Sequence, residues 1–246
     1  YKRQGLNPNW HNALNFDGNN DYIDFGADST LEITGNFTIS TWVNLDTMTG
    51  YRRIIGKANS NNSRANYGLG LYLGNRPGVI ANATGTWFTN YSSNALSTGV
   101  WHHLVGIYDG SNFILYVNGS LDNSTSVSGF NIATAASATS GDSLLIGRIP
   151  SGAESFNGKI DEVAIWNTAL SSDAVTEIYN ATANNTGKAL DLNTDSVSTS
   201  ISSTVYSGGS PFPSPPMNFS VNIVENGMEL LWEGKAKKLN GFFLKN

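Results

Sequence analysis

Trp101–Gly119 reads W-H-H-L-V-G-I-Y-D-G-S-N-F-I-L-Y-V-N-G, and this stretch decides the fold. It divides into two strands and two turns. Leu104–Tyr108 is dense in β-branched and aromatic side chains, and Asp109-Gly110 supplies the positive φ that a tight connection needs. Phe113–Val117 is the return strand, and Asn118-Gly119 is the strongest short hairpin signal a sequence carries. Both strands are apolar on both faces, with Val105 and Ile107 opposite Leu104 and Tyr108, and Ile114 and Tyr116 opposite Phe113, Leu115 and Val117. A strand with no polar face belongs in the middle of a covered sheet, not at a wet edge. The centre of the chain is therefore a β-sandwich.

Working outward, short strand patterns recur with turn signals between them. Ala13–Phe16 and Tyr22–Phe25 flank the turn Asp17-Gly18-Asn19-Asn20-Asp21, which is dense in oxygen ligands. Phe37–Leu45 alternates, with Phe37, Ile39, Thr41, Val43 and Leu45 on one face. Arg52–Lys57 follows, and Tyr67–Leu73 sets Tyr67, Leu69, Leu71 and Leu73 against Gly68, Gly70 and Tyr72. Val79–Asn82 and Thr86–Asn90 precede the central hairpin; Ser143–Gly147 and Lys159–Trp166 come after it, beyond a long Ala/Ser/Thr loop. Strands about ten residues apart are the pattern of a sandwich or jelly roll. Ser171–Tyr179 is the one helix pattern, with Ser171 or Ser172 as cap and Asp173 in its first turn. Ala181–Pro216 loses periodicity and ends in a proline-rich run, and β character returns after Met217.

Composition limits the function classes. The 246 residues carry 14 Lys and Arg against 19 Asp and Glu, a net charge of −5, with no basic run, which argues against a nucleic-acid partner. With no cysteine, disulfides and thiolate metal sites are excluded. No apolar stretch reaches the length of a membrane-spanning helix. The chain starts at Tyr1 without an initiator Met and reads as a mature or excised piece of something longer.

Several segments together resemble the laminin-G-like, concanavalin-A-like jelly-roll family: A-L-N-F-D-G-N-N-D-Y-I at Ala13–Ile23, F-T-I-S-T-W-V at Phe37–Val43, G-V-W-H-H-L-V-G-I-Y-D-G at Gly99–Gly110, and F-N-G-K-I-D-E-V-A-I-W-N at Phe156–Asn167. The resemblance implies an all-β jelly roll over residues 13–182, preceded by an arm at 1–12 and followed by a Ser/Thr/Pro-rich linker at 183–216. Residues 217–246 resemble the opening strands of a fibronectin type III domain, through Pro215-Pro216, Leu230-Leu231-Trp232 and Gly241-Phe242-Phe243. Family members bind glycans or proteins, or serve as spacers, and fold alone does not choose among these.

The resemblance also implies one structural calcium where the N-terminal strands meet the last strand. Asp161 is its first candidate ligand, with Asp17 and Asp21 opposite. Asp161 and Glu162 are adjacent on a strand and should face opposite sides, so they do not make a catalytic carboxylate pair. His102 and His103 alternate in the same way and read as structural. A sugar site would use flat aromatics with polar neighbours. Trp87, Tyr91, Tyr67 and Tyr72, with Arg148, are the ligand-binding candidates, and Tyr51, Arg52, Arg64 and Arg76 are further aromatics and cations at loops or strand edges. The expected protein is a non-catalytic extracellular or cell-surface recognition and adhesion module for a glycan. The alternatives are a structural part of a surface fibre or virion, whose tail from Met217 pairs with a neighbouring subunit, and a polysaccharide lyase or hydrolase.

Overall fold

The computed structural model describes residues 13–27, 31–46, 50–59, 65–83, 86–132 and 142–183, and the backbone of strands at 219–224, 227–232 and 235–236. Twelve strands make two antiparallel sheets. The back sheet runs β1-β12-β3-β8-β9-β10, built from Leu14–Asp17 (β1), Asn157–Trp166 (β12), Phe37–Leu45 (β3), Trp101–Tyr108 (β8), Asn112–Val117 (β9) and Ser120–Ser126 (β10). The front sheet runs β2-β11-β4-β5-β6-β7, built from Ile23–Asp24 (β2), Leu144–Ile146 (β11), Arg52–Ala58 (β4), Ala65–Tyr72 (β5), Arg76–Ala83 (β6) and Thr86–Tyr91 (β7). This is the expected jelly-roll sandwich.

The central stretch behaves as its composition requires. β8 lies inside the back sheet between β3 and β9, and both its faces are covered. Leu104, Phe113 and Leu115 join Phe37, Ile39, Val43 and Leu45 of β3 in the core between the sheets, against Leu69, Leu71, Val79 and Ala81 of the front sheet. Phe37 is the hub of an aromatic cluster with Tyr67, Tyr108 and Phe113 at centroid distances of 5.7, 5.9 and 6.2 Å. Val105, Ile107 and Tyr116 point the other way and pack with Trp166, Leu170, Ala174 and Val175. The helix α1, Ser172–Ala183, thus covers the outer face of the back sheet. Ser171 caps it, its Oγ accepting the Ala174 N–H at 3.2 Å. Tyr179 seals the contact: its ring stacks on Trp42 at 5.8 Å and lies over Gly119, where a Cβ would sit 2.6 Å from it.

Asn118 and Gly119 both take positive φ, 51° and 76°, as a two-residue hairpin turn demands. They launch β10, a strand the polar sequence S-L-D-N-S-T-S does not announce. The tail forms a separate three-stranded sheet of Phe219–Val224, Gly227–Trp232 and Lys235–Ala236 (β13, β14 and β15).

Candidate functional site: the paved face of the front sheet

The inner face of the front sheet is core, and its outer face is made of the alternate residues. Cross-strand register places Gly56 with Gly68, Arg53 and Gly78 with Gly70, Ile80 with Gly68 and Thr89, Tyr72 with Arg76, Tyr91 with Gly78, and Asn82 with Trp87 on that outer face. Four glycines in a row leave the sheet bare, and three neighbouring side chains lie flat across it. A Cβ on Gly68 would be 3.0 Å from the Arg53 guanidinium, one on Gly70 2.8 Å from Ile80 Cδ1, and one on Gly78 2.2 Å from Tyr91 Cδ1. The glycines are seats for these side chains, and the result is a flat bed.

Tyr91 leans over Gly78 and meets Tyr72 at 4.6 Å, and Tyr72 meets Tyr51 edge-on at 5.0 Å. The Arg76 guanidinium lies over the Tyr72 ring at 4.7 Å while its Nε donates to the Leu73 carbonyl. The Tyr51 hydroxyl is hydrogen-bonded to Tyr72 and held above its ordinary pKa by that bond; burial pushes Tyr91 up to about 12. The Tyr51 and Tyr91 phenols are therefore neutral donors and acceptors at physiological pH. Beside them Arg53 is buried, and its Nε and Nη2 donate to Glu154 Oε2 at 3.3 and 3.0 Å. This interior charge is compensated in place. At the far end of β7, Trp87 stands 42% exposed, and Tyr51 is 44% exposed. The outer face therefore has a tyrosine cluster at one end of β7 and an indole at the other, with the Arg53–Glu154 pair on the β4 side.

Strand β7 is an edge strand, and it is pinned from its inner face. Asn90 Nδ2 donates to the Phe113 and Asn123 carbonyls at 2.9 and 3.2 Å, and its Oδ1 accepts from Thr125 Oγ1 at 3.0 Å. Asn123 Nδ2 donates to the Tyr91 carbonyl at 3.2 Å, and Ser92 Oγ donates to Asp122 Oδ1 at 3.1 Å. These bonds tie β7 to β9 and β10 of the other sheet and hold the outward side chains in place.

The sequence-derived candidates separate cleanly. Tyr72, Tyr91 and Trp87 share the outer face. Tyr67 does not: it is fully buried among the core residues and donates its hydroxyl to the Leu31 carbonyl at 2.8 Å. Its alternation with Leu69 and Leu71 puts it on the apolar face, so it is removed from the ligand set. Arg148 is also elsewhere, stacked over Tyr22 at 3.5 Å beyond β11, with β4, β5 and β6 between it and β7. Arg53 and Glu154 belong to the bed and were missed. The signal was present in Gly68-x-Gly70 and Gly78, a gap on one face that some long side chain must fill.

The expected calcium ligands are not one group. Asp17 pairs with Asn157 while Leu14 pairs with Ile160, so Asp161 lies at the opposite end of the β1–β12 ladder from the Asp17–Asp21 turn. That turn closes on itself: Asp17 Oδ1 accepts the Asn19 N–H at 2.8 Å, and Asp21 Oδ2 accepts the Asp17 N–H at 3.0 Å. The Asn19 bond holds the Asp17 carboxyl below its usual value. Among the described residues no three His, Cys, Asp or Glu side chains gather as a metal site.

Asp161 and Glu162 correct a second expectation. A β-bulge lies between Asp161 and Ala164, and Glu162 sits at φ 50°. Strict alternation ends there. The two carboxyls feel each other: burial raises Asp161 to about 6, and burial with the Asp161 charge raises Glu162 to about 7. They sit in the back sheet, off the paved face. Ser40 Oγ and His103 Nε2 share a hydrogen bond of 2.8 Å, but Ser40 and His103 are 2% and 1% exposed. Burial lowers His103 to about 4, so it is a neutral, sealed core group.

A family model described as the concanavalin A-like lectin/glucanases superfamily matches residues 17–176, and the chain belongs to that family. The match ends before the tail, and the fibronectin-like reading of residues 217–246 finds no support. No curated protein sequence matches the chain. Among solved structures, the CBM40 of the Ruminococcus gnavus IT-sialidase superposes with a TM-score of 0.58 at 16% identity, covering 68% of this chain and 96% of that one. Domain 4 of AbnA, a GH43 extracellular arabinanase from Geobacillus stearothermophilus, was solved with arabinotriose and gives a TM-score of 0.53 at 20% identity, over 68% and 76% of the two chains. The binding domain of Paraclostridial Mosquitocidal Protein 1 gives 0.57 at 16% identity, over 70% and 44%. At these identities the likeness is one of fold.

Proposed function

We propose that this domain is a non-catalytic glycan-binding module working outside the cell or at its surface, and that the paved outer face of the front sheet is its contact surface. The observation that carries the reading is the Tyr51–Tyr72–Tyr91 cluster with Arg76, which stays partly exposed on the outer face of the front sheet. Sugars have apolar C–H faces and polar edges. Flat rings that carry hydroxyls, next to a guanidinium, match both. Helix α1 covers the back sheet, and among the described residues no helix covers the front. Two of the structural relatives have been solved with sugars, the Ruminococcus gnavus module with sialyllactose and the arabinanase domain with arabinotriose, which supports a glycan as the partner.

The test is an oligosaccharide array on the full chain, followed by titration calorimetry. Tyr51→Ala and Tyr72→Ala should each weaken binding by about tenfold, which is about 1.4 kcal/mol. Tyr51 is exposed, so its variant should keep the melting temperature. Unchanged affinity in both variants would reject the face.

A further inference from the structure

We infer that the ligand is a linear oligosaccharide of at least three sugars laid along β7, with one end on the tyrosine cluster and the other on Trp87. This rests on the glycan-binding reading and adds the shape of the ligand. The register puts Tyr91 opposite Gly78, Thr89 opposite Ile80 and Trp87 opposite Asn82, so all three β7 residues face the same way. Tyr91 and Trp87 are four residues apart on one strand, about 13 Å at the strand rise. With single bonds of about 1.5 Å, one sugar ring and its bridging oxygen advance a chain by about 5 Å. A single terminal sugar cannot touch both rings, whereas a short chain touches both.

The span between the rings is fit to be crossed. Thr89 is the outward β7 residue between the rings, and its cross-strand partner Ile80 turns aside over Gly70 of β5. Among the described residues, the register sets only Thr89 and Ile80 in the row between the two rings. Thr89, half-buried midway, offers a hydroxyl to a sugar edge. The Asn90 bonds fix the strand from behind, so the distance between Tyr91 and Trp87 is set before a ligand arrives. An exposed indole on an edge strand, in line with a tyrosine cluster, is the arrangement of two subsites on one track.

The experiment is titration calorimetry on the full chain with the mono-, di-, tri- and pentasaccharides of whichever backbone binds on an array of arabinan, xylan, glucan and sialylated probes. Affinity should rise at least tenfold from disaccharide to trisaccharide and then level off. Trp87→Ala should bring the trisaccharide down to the disaccharide value and leave the disaccharide unchanged; Trp87→Phe should restore most of the loss. Full affinity for a mono- or disaccharide, indifferent to Trp87→Ala, would overturn the inference and leave the glycan-binding reading standing. No binding to any probe at millimolar concentration would overturn that reading, and the inference with it.

Discussion

Glu162→Gln should make this protein more stable, and only above about pH 5. Folding puts two carboxyls together at the β12 bulge, partly out of water. Asp161 rises from 3.8 to about 6 and Glu162 from 4.5 to about 7. A carboxyl raised in the folded state holds its proton more tightly there than in the unfolded chain. Its contribution is therefore complete below its ordinary value, and stability falls as pH rises toward the folded value. Each shift corresponds to about 3 kcal/mol, and because the two groups act on each other the costs are shared rather than summed. Gln keeps the shape of Glu162 and removes both its own charge and the repulsion on Asp161. Urea unfolding at a series of pH values gives the difference in stability between variant and wild type. It should be near zero at pH 4.5 and grow to about 2 kcal/mol at pH 8. His103 works in the opposite sense, because its depressed folded value costs stability as pH falls from 6.5 toward 4. It acts equally in both proteins and cancels in the difference. A variant no more stable than wild type at pH 8 would refute the reasoning.

Other expectations follow from the packing. Gly78→Ala would put a Cβ 2.2 Å from Tyr91 Cδ1 and 2.7 Å from the Asn90 carbonyl oxygen. It should cost about 1–3 kcal/mol in urea unfolding and lower glycan affinity by displacing Tyr91. Asn90→Ala removes three hydrogen bonds between the sheets, one buried and two part-buried, and should cost about 2–4 kcal/mol, read as a drop in melting temperature. The register keeps Asp161 away from the Asp17–Asp21 turn, so any melting shift between calcium and chelator should be the same in Asp161→Asn as in wild type. A shift lost in Asp161→Asn alone would restore Asp161 as a ligand.

What the sequence shows and what it hides have physical reasons. Phe37–Leu45 is legible to the residue because its alternation is strict and one face is wholly core. The hairpin at Asn118-Gly119 is legible as a turn, yet the strand it starts is not. β10 is an exposed edge, and no burial imposes a pattern on its side chains. Alternation also sorted the tyrosines of β5, setting Tyr67 with the leucines and Tyr72 with the glycines. Both are aromatic, but only Tyr72 reaches the outer face; Tyr67 is fully buried. Alternation then misled at Asp161-Glu162, because one extra residue and one positive φ reset the strand's phase, and neither leaves a mark in residue type. The separation of Asp161 from the Asp17–Asp21 turn is set by register, a long-range quantity that pairs Asp17 with Asn157 and that no local pattern carries. Arg53 lies within the Arg52–Lys57 strand, and nothing local marks its role. Only the assembled sheet shows Gly56 and Gly68 beneath it, and Glu154 brought across to hold it.

The most direct measurement is chemical-shift mapping of the full chain with the tightest-binding oligosaccharide from the array. Perturbations are expected only on the front face, at the amides of Gly68, Gly70 and Gly78 and at the side chains of Tyr51, Tyr72, Tyr91 and Trp87. Perturbations centred on Trp42 and Tyr179 of the back face, or on Tyr22 and Arg148 beyond β11, would contradict that expectation.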